Sequence, residues 1–234
     1  MKHKYLFILC PPSSGSTLLW QLLRTSPHVG FFRAEGQTLV KDILFTAQRW
    51  DPALPVAWEK VRAAWESAWD MSKPVLLEKS PPHLVRARQL QEHFPGSHFV
   101  VMVRNPYAYC EGIRRRWRND LDYATIARRW VERAVFQRDN RTGLQRVLFF
   151  TYEELCADAE SICRRLVGFV PELERLQPQR EFAVFEKNLP MKDLNARQIA
   201  RLSASDIREI NAVLGGHRQL LAEFGYEMIG ETDA

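Results

Sequence analysis

Four short, almost unbroken apolar runs constrain this chain more than any other feature. They are "KYLFILC" (Lys4 to Cys10), "PVLLEKS" (Pro74 to Ser80), "HFVVMVR" (His98 to Arg104) and "RVLFFTY" (Arg146 to Tyr152). A run of this length without alternation suits a strand buried on both faces, as in a parallel sheet covered by helices on each side. "VGFFRAE" (Val29 to Glu35) is a weaker fifth run. Helical stretches lie between them: Ser16 to Thr25, Val56 to Asp70, Leu84 to His93, Ala108 to Arg118, Tyr123 to Asn140 and Tyr152 to Phe169. The alternation predicts an α/β fold, a three-layer sandwich around a central, mostly parallel sheet of about five strands. The 234 residues fit one domain, 1–234, with a full hydrophobic core. Towards the C-terminus, "REFAVFEKNLPMKDLNARQ" reads as a loop. A helix starts after it at Ser203 or Ser205, breaks at Gly215-Gly216, and a last helix follows.

In an open α/β sheet, ligands bind beyond the carboxyl ends of the strands. The segments that follow the four main runs are "PPSSGST", "EKSPPH", "RNPYAYCEG" and "YEEL". Small, charged and hydroxylated residues collect there, which predicts one composite site. The first segment has the grammar of a phosphate-binding loop. Backbone N–H groups at a helix start point at an anion, and the helix dipole favours it. Gly15 lets the backbone come close, and Ser13, Ser14, Ser16 and Thr17 add hydroxyl donors. A Walker loop needs GxxxxGK[ST]. Here no glycine stands first and Ser16 fills the lysine slot, which disfavours an ATP or GTP hydrolase. Taken alone, serines that merely cap a helix are an equal reading.

A formal net charge of +5 suits an anionic ligand, although solubility explains it as well. Four cysteines without CxxC or zinc spacing read as free thiols in a reducing compartment. The first apolar run is short for a signal-peptide core, and no stretch approaches the ~20 apolar residues of a membrane span. A soluble, cytoplasmic chain is expected, with no nucleic-acid partner and the oligomeric state open.

The order Pro12, Ser14, Gly15, Ser16, Thr17, Leu18 after the first strand resembles the 5′-phosphosulfate loop of the sulfotransferases, which use 3′-phosphoadenosine 5′-phosphosulfate (PAPS). "VVMVRNPYAYCEGIRRR" is similar to a second element of that family, a strand followed by Arg-[ND]-Pro and a helix. "VLFFTYEELCAD" is close to its "YEDL" stretch. "LLEKSPPH" resembles the "EKSP" of bacterial and glycan sulfotransferases, and "LLAEFGYE" is typical of the family's end. The resemblance runs from Lys4 to about Tyr226 with order and spacing kept. It implies that Arg104 holds the 3′-phosphate, that Tyr152 lies near the adenine, and that Lys79 lies near the sulfuryl group. It also implies that PAPS becomes 3′-phosphoadenosine 5′-phosphate (PAP), that no metal is needed, and that the acceptor is a hydroxyl or amine. The acceptor class stays open among small molecules, glycans, lipids and peptides.

Two departures stand out against the family pattern. Ser13 fills a position that is usually Lys or Arg, so a cation beside the leaving oxygen is missing, and Lys79 is the best substitute. Gly112 stands eight residues after Arg104, where the family has a serine on the 3′-phosphate. Either its backbone N–H serves, or an arginine of "RRRWR" (Arg114 to Arg118) reaches over; a solvated helix face is the plainer reading of that run.

Sulfuryl transfer needs a general base for the acceptor. Glu35 ranks first, by its nearness to a glutamate base of tyrosylprotein and glycan sulfotransferases; an exposed carboxylate paired with Arg33 is its plainer reading. His83 ranks second and Glu78 third. Trp58, Trp65 and Trp69 lie on one helix face and read as core, or else as an apolar acceptor wall with Trp50 and Phe45. The segment from Phe185 to Asn195, with Lys187 and Lys192, is a lid candidate. The competing functions are a small-molecule kinase of the P-loop type and a non-catalytic PAP- or anion-binding protein on the same scaffold.

Overall fold

The computed structural model describes residues 3–117, 120–184, 187–189 and 191–230. All five apolar runs form strands: β1 (Lys4–Leu9), β2 (Val29–Phe31), β3 (Val75–Lys79), β4 (His98–Val103) and β5 (Val147–Thr151). They lie in the order β2-β3-β1-β4-β5, and every neighbouring pair is parallel. The helices α1 (Ser16–Leu23), α2 (Lys41–Leu44), α3 (Trp58–Ala68), α4 (Ala87–His93), α5 (Pro106–Trp117) and α6 (Tyr123–Gly143) fill the connections up to β5. α7 (Tyr152–Ala157) and α8 (Ala159–Phe169) follow it.

Side chains alternate across β1, as the pleat requires. Leu6 and Ile8 pack with Leu19 and Leu22 of α1 and with Leu166 of α8. Tyr5, Phe7 and Leu9 pack on the other face with Trp65 of α3 and Leu90 of α4. Both faces are covered, so the run carries no polar alternation. The tryptophan stripe belongs to this second layer. Trp58, Trp65 and Trp69 are buried, and the Trp65 and Trp69 indoles donate to the carbonyls of Gly36 and Leu77. It is core rather than an acceptor wall.

Several boundaries differ from the sequence expectation for local reasons. Pro81-Pro82 replaces the start of the expected Leu84 helix with a single 3-10 segment, Pro81–Val85. The expected helix from Tyr152 to Phe169 is two, because Asp158 leaves the helical conformation and caps α8 by accepting from the Ser161 N–H at 2.8 Å. Pro106 starts α5 two residues early, a position where its missing N–H costs nothing.

The "REFAVFEKNLPMKDLNARQ" segment is not only loop. It holds an antiparallel hairpin of β6 (Phe182–Val184) and β7 (Lys187–Leu189) and then α9 (Asn195–Ile199). Buried Phe182 anchors the hairpin against the α1 layer, a long-range contact without local periodicity. α10 (Ala204–Leu214) opens on a capping box of Ser203 and Asp206, which settles the choice between Ser203 and Ser205. α11 (Arg218–Glu223) follows the Gly215-Gly216 break. These last helices pack with α5 and α6 around Tyr107, Trp130, Ile210 and Leu221.

The topology positions the site. The chain leaves β1 towards β2 on one side of the sheet and leaves β4 towards β5 on the other. The crevice of such a sheet opens where this direction switches, between the carboxyl ends of β1 and β4. No helix among the described residues is long and apolar enough to cross a membrane.

Candidate active site

The connection from β1 to α1 is the floor of that crevice. Gly15 has φ 92°, and a Cβ there would stand 2.5 Å from Tyr152 Cδ2. Glycine is therefore needed twice, for the left-handed turn and for the close approach of the Tyr152 ring. Ser13 is also left-handed, at φ 57°, a conformation that costs a non-glycine residue about 1–2 kcal/mol. Its carbonyl accepts from Arg104 Nη1 at 2.9 Å, which holds the turn from across the switch point. The Ser13 hydroxyl is buried without a hydrogen-bond partner among the described residues. An orphaned hydroxyl in a loop of N–H donors suits an anion ligand. Ser14 and Ser16 are buried, with the Ser14 hydroxyl donating to the Pro12 carbonyl at 3.3 Å. Thr17 is half-buried, and Leu18 anchors the helix start in the core.

Cys10 lies beneath the loop. Burial pushes its thiol up to about 12, although Lys79 and Arg104 both pull the other way. The two cations thus flank the root of the loop. Lys79 is paired in register with Ile8, one strand over from the loop.

Arg104 follows β4 and is almost fully buried. Nε donates to Asn195 Oδ1 at 2.8 Å, and Nη2 donates to Gln198 Oε1. The guanidinium lies 4.1 Å over the Tyr152 ring. Tyr152 is therefore packed between Gly15 and Arg104, and its hydroxyl donates to the Lys192 carbonyl at 3.0 Å. Glu153 ties the neighbourhood together. It accepts from the Asn105 N–H at 2.9 Å, from the Tyr226 hydroxyl at 2.9 Å and from the Asn195 amide.

The third wall is built on β3. Glu35 Oε1 accepts from Lys79 Nζ at 2.8 Å, and Oε2 accepts from the Gln37 amide. This side chain is 30% exposed, against 10% for Lys79. The expected partner Arg33 does not hold it. Arg116 of α5 lies within electrostatic reach of Glu35, bringing the basic helix end to the same wall.

Glu78 and His83, the other two base candidates, are turned inwards. Glu78 Oε2 lies 2.9 Å from His83 Nε2, and both side chains are buried. Glu78 Oε1 accepts from the Gly36 N–H at 2.8 Å and the Ser80 hydroxyl at 2.6 Å. The Ser80 oxygen in turn accepts from the Gln37 N–H at 3.1 Å. Burial pushes the Glu78 carboxyl up, but His83 and the Ser80 and Gly36 donors outweigh it and hold the carboxyl below its usual value. The pair anchors the segment that carries Glu35.

Gly112 lies on α5, and its place is informative. A Cβ there would stand 2.9 Å from Gln198 Nε2 and 3.7 Å from Ser13 Cβ. Gln198, Asn195, Glu111 and Glu153 are the site neighbours that local pattern does not reveal, since each acts on residues far along the chain. The one available signal was the volume missing at Gly112. Phe185, Arg118 and the side chain of Lys187 lie outside the described residues.

A hydroxyl-rich loop at a switch point, faced by a buried arginine and a lysine–carboxylate pair, suits an α/β protein that handles an anionic group. The sulfotransferase family model matches residues 46–174, a little over half of the chain, and the chain belongs to that family. The matched stretch holds Lys79, Arg104, Gly112 and Tyr152; the loop at 12–18 and Glu35 precede it.

Among solved structures, the sulfotransferase domain of the Synechococcus PCC 7002 olefin synthase is 18% identical, with a TM-score of 0.60, covering 98% of each chain. A sulfotransferase from Alicyclobacillus acidocaldarius is 14% identical, with a TM-score of 0.61, covering 97% of this chain and 98% of its own. A mouse sulfotransferase complexed with PAP is 12% identical, with a TM-score of 0.52, covering 96% of this chain and 85% of its own. At these identities the likeness is one of fold. A search of curated proteins finds no significant match. Sulfuryl transfer is the chemistry of the family, and the small-molecule kinase is not favoured.

Proposed function

We propose that this chain moves a sulfuryl group from PAPS to a hydroxyl or amine acceptor, with Glu35 as general base. The observation that carries the proposal is the convergence of three elements at the carboxyl ends of β1, β3 and β4. These are the hydroxyl-rich loop with its orphaned Ser13 oxygen, the buried Arg104, and the Lys79–Glu35 pair. The mouse sulfotransferase of similar fold, which is complexed with PAP, supports the same nucleotide here.

The residues present fit that donor. Backbone N–H groups of the loop and the hydroxyls of Ser13, Ser14, Ser16 and Thr17 would hold its 5′ side, with Pro12 and Leu18 shaping the turn. Arg104 would hold the 3′-phosphate beside Gly112, with Tyr152 backing the guanidinium. PAPS supplies the activated sulfuryl group when bound. Lys79 offsets charge where the family's loop cation is missing at Ser13, and no metal takes part. Glu35 accepts the acceptor's proton; its two oxygens are oriented by Lys79 and Gln37, and it is exposed enough to be met. His83 supports this wall through Glu78.

Leu39 and Phe45, both exposed apolar side chains, lie in the segment after Glu35 and support an acceptor with an apolar part. A small molecule, glycan, lipid or peptide can carry one. A cytoplasmic, single-domain protein completes the proposal.

Thermal shift with PAP against Mg-ATP tests the donor. Stabilisation by PAP alone is expected, and stabilisation by Mg-ATP alone would sink the reading. Labelled-PAPS turnover across phenols, sugars and lipids tests transfer. PAP binding without turnover on any acceptor would leave a binding protein. Glu35→Gln is expected to keep PAP affinity and lower turnover by about 10²–10⁴-fold.

A further inference from the structure

Every nitrogen of the Arg104 guanidinium already has a partner, and the partner on Nη2 is unusual. It is the Oε1 of Gln198, a side chain only 4% exposed. The other end of that amide is equally committed. Gln198 Nε2 donates to Glu111 Oε2 at 2.6 Å and to the Ala108 carbonyl at 3.3 Å. Glu111 is buried as well, and its Oε1 accepts from Arg115 Nε at 2.8 Å and Arg201 Nη1 at 3.1 Å. Gln198 therefore bridges the arginine to a buried carboxylate.

A glycine at position 112 leaves the room that this bridge occupies. Any side chain there begins 2.9 Å from Gln198 Nε2, closer than carbon and nitrogen settle without one of them moving. The glycine and the glutamine are complementary in volume, and the amide fills the space that a side chain at 112 would take.

We propose that Gln198 is the residue that sets donor specificity at the 3′ end of the nucleotide. Its carbonyl stands on Arg104 where a phosphate oxygen would stand. A 3′-phosphate must take Nη2 from it, so binding is an exchange rather than an addition. The exchange is feasible because a guanidinium facing a phosphate gains an ion pair and a second, parallel hydrogen bond, which a neutral amide acceptor does not offer. It is partly opposed because the released amide leaves Glu111 close to the incoming dianion. Arg115 and Arg201 moderate that repulsion. The preference for a 3′-phosphorylated nucleotide over its unphosphorylated counterpart is therefore smaller than Arg104 alone would give, and Gln198 tunes it. This inference rests on the reading of Arg104 as the 3′-phosphate ligand.

The test is calorimetric binding of PAP and of adenosine 5′-monophosphate to the whole protein and to three variants. Gly112→Ser displaces the amide and adds a hydroxyl; it is expected to tighten PAP by about tenfold and to leave the monophosphate within about twofold. Gln198→Glu puts a carboxylate on Arg104; it is expected to weaken PAP by about tenfold or more, again sparing the monophosphate. Opposite shifts confined to PAP are what a merely structural role would not produce. Equal shifts for both nucleotides, or no shift in Gly112→Ser, overturn the inference, and the serine variant decides alone should the glutamate variant not fold. Loss of PAP binding in Arg104→Ala, together with indifference to the other two variants, removes Gln198 but keeps the donor reading. Failure of the unaltered protein to bind either nucleotide removes both.

Discussion

The Glu78–His83 pair shows how much a buried ionisable residue can do without touching a substrate. Glu78 fixes the Gly36 N–H and the Ser80 hydroxyl, and through them the segment that presents Glu35. Removing one member of a buried pair leaves the other uncompensated, at a typical cost of about 3–5 kcal/mol. Glu78→Gln keeps the shape and two acceptor bonds, so a loss of about 3 kcal/mol in urea unfolding is expected. The carboxyl is lower in the folded state than in the unfolded one. Its stabilisation is thus complete above the ordinary carboxyl value of about 4.3 and is lost as pH falls through the lower folded value. Below about pH 4.3 the gap between the unaltered protein and Glu78→Gln should close, and a constant gap across the acid range would contradict the pairing. Lys79 carries a second expectation. Lys79→Met should lower turnover by about 10²-fold, and Ser13→Lys placed on top of it should restore part of the rate. No rescue would mean that the two positions do not serve the same oxygen. The ranking of Glu35 first among the bases came from resemblance, and its ion pair with Lys79 was not readable. The two are 44 residues apart and meet only because β2, which leads to Glu35, lies beside β3, which ends on Lys79.

At the scale of elements, the loop between β1 and α1 is held by its surroundings more than by its own bonds. Tyr152 from α7 fills the space over Gly15, and Arg104 from the end of β4 holds the Ser13 carbonyl. Gly15→Ala meets both a left-handed backbone and the tyrosine ring. It should abolish measurable PAP binding in calorimetry while the far-ultraviolet circular dichroism stays unchanged; intact binding would show that the loop has slack the packing does not suggest. The strands and the loop were legible because each announces itself within ten residues, through unbroken apolar character or small-residue turns. The β6–β7 hairpin and α9 were not. Their reasons for existing are Phe182 beneath α1 and the Asn195 and Gln198 bonds to Arg104, all contacts across large sequence distances. The break at Asp158 was readable in principle, since aspartate followed three residues later by a serine N–H is a capping geometry, but continuous apolar periodicity on both sides masked it.

For the molecule as a whole, ligand binding and stability are coupled through the switch point. The loop after β1, Arg104 after β4, and α9 are joined there by hydrogen bonds, so a nucleotide that bridges them should stabilise the entire sheet. At a PAP concentration a hundred times its dissociation constant, the gain is about 2.7 kcal/mol. In a chain of this size that corresponds to a rise in Tm of about 5–10 °C by scanning calorimetry. A rise confined to a separate, smaller transition would show that the site is a local unit. The strand order has a further consequence, in the time domain. β1 is the central strand, yet its two partners are β3, paired from Val75, and β4, paired from His98. During synthesis β1 emerges first and stays without either neighbour until those later segments appear. Pairings so distant along the chain are slow to close. The loop after β1, shaped by Arg104 and Tyr152, thus takes its final form only after those later segments are in place, and until then "KYLFILC" is an apolar segment without its partner strands, the kind of segment that favours aggregation.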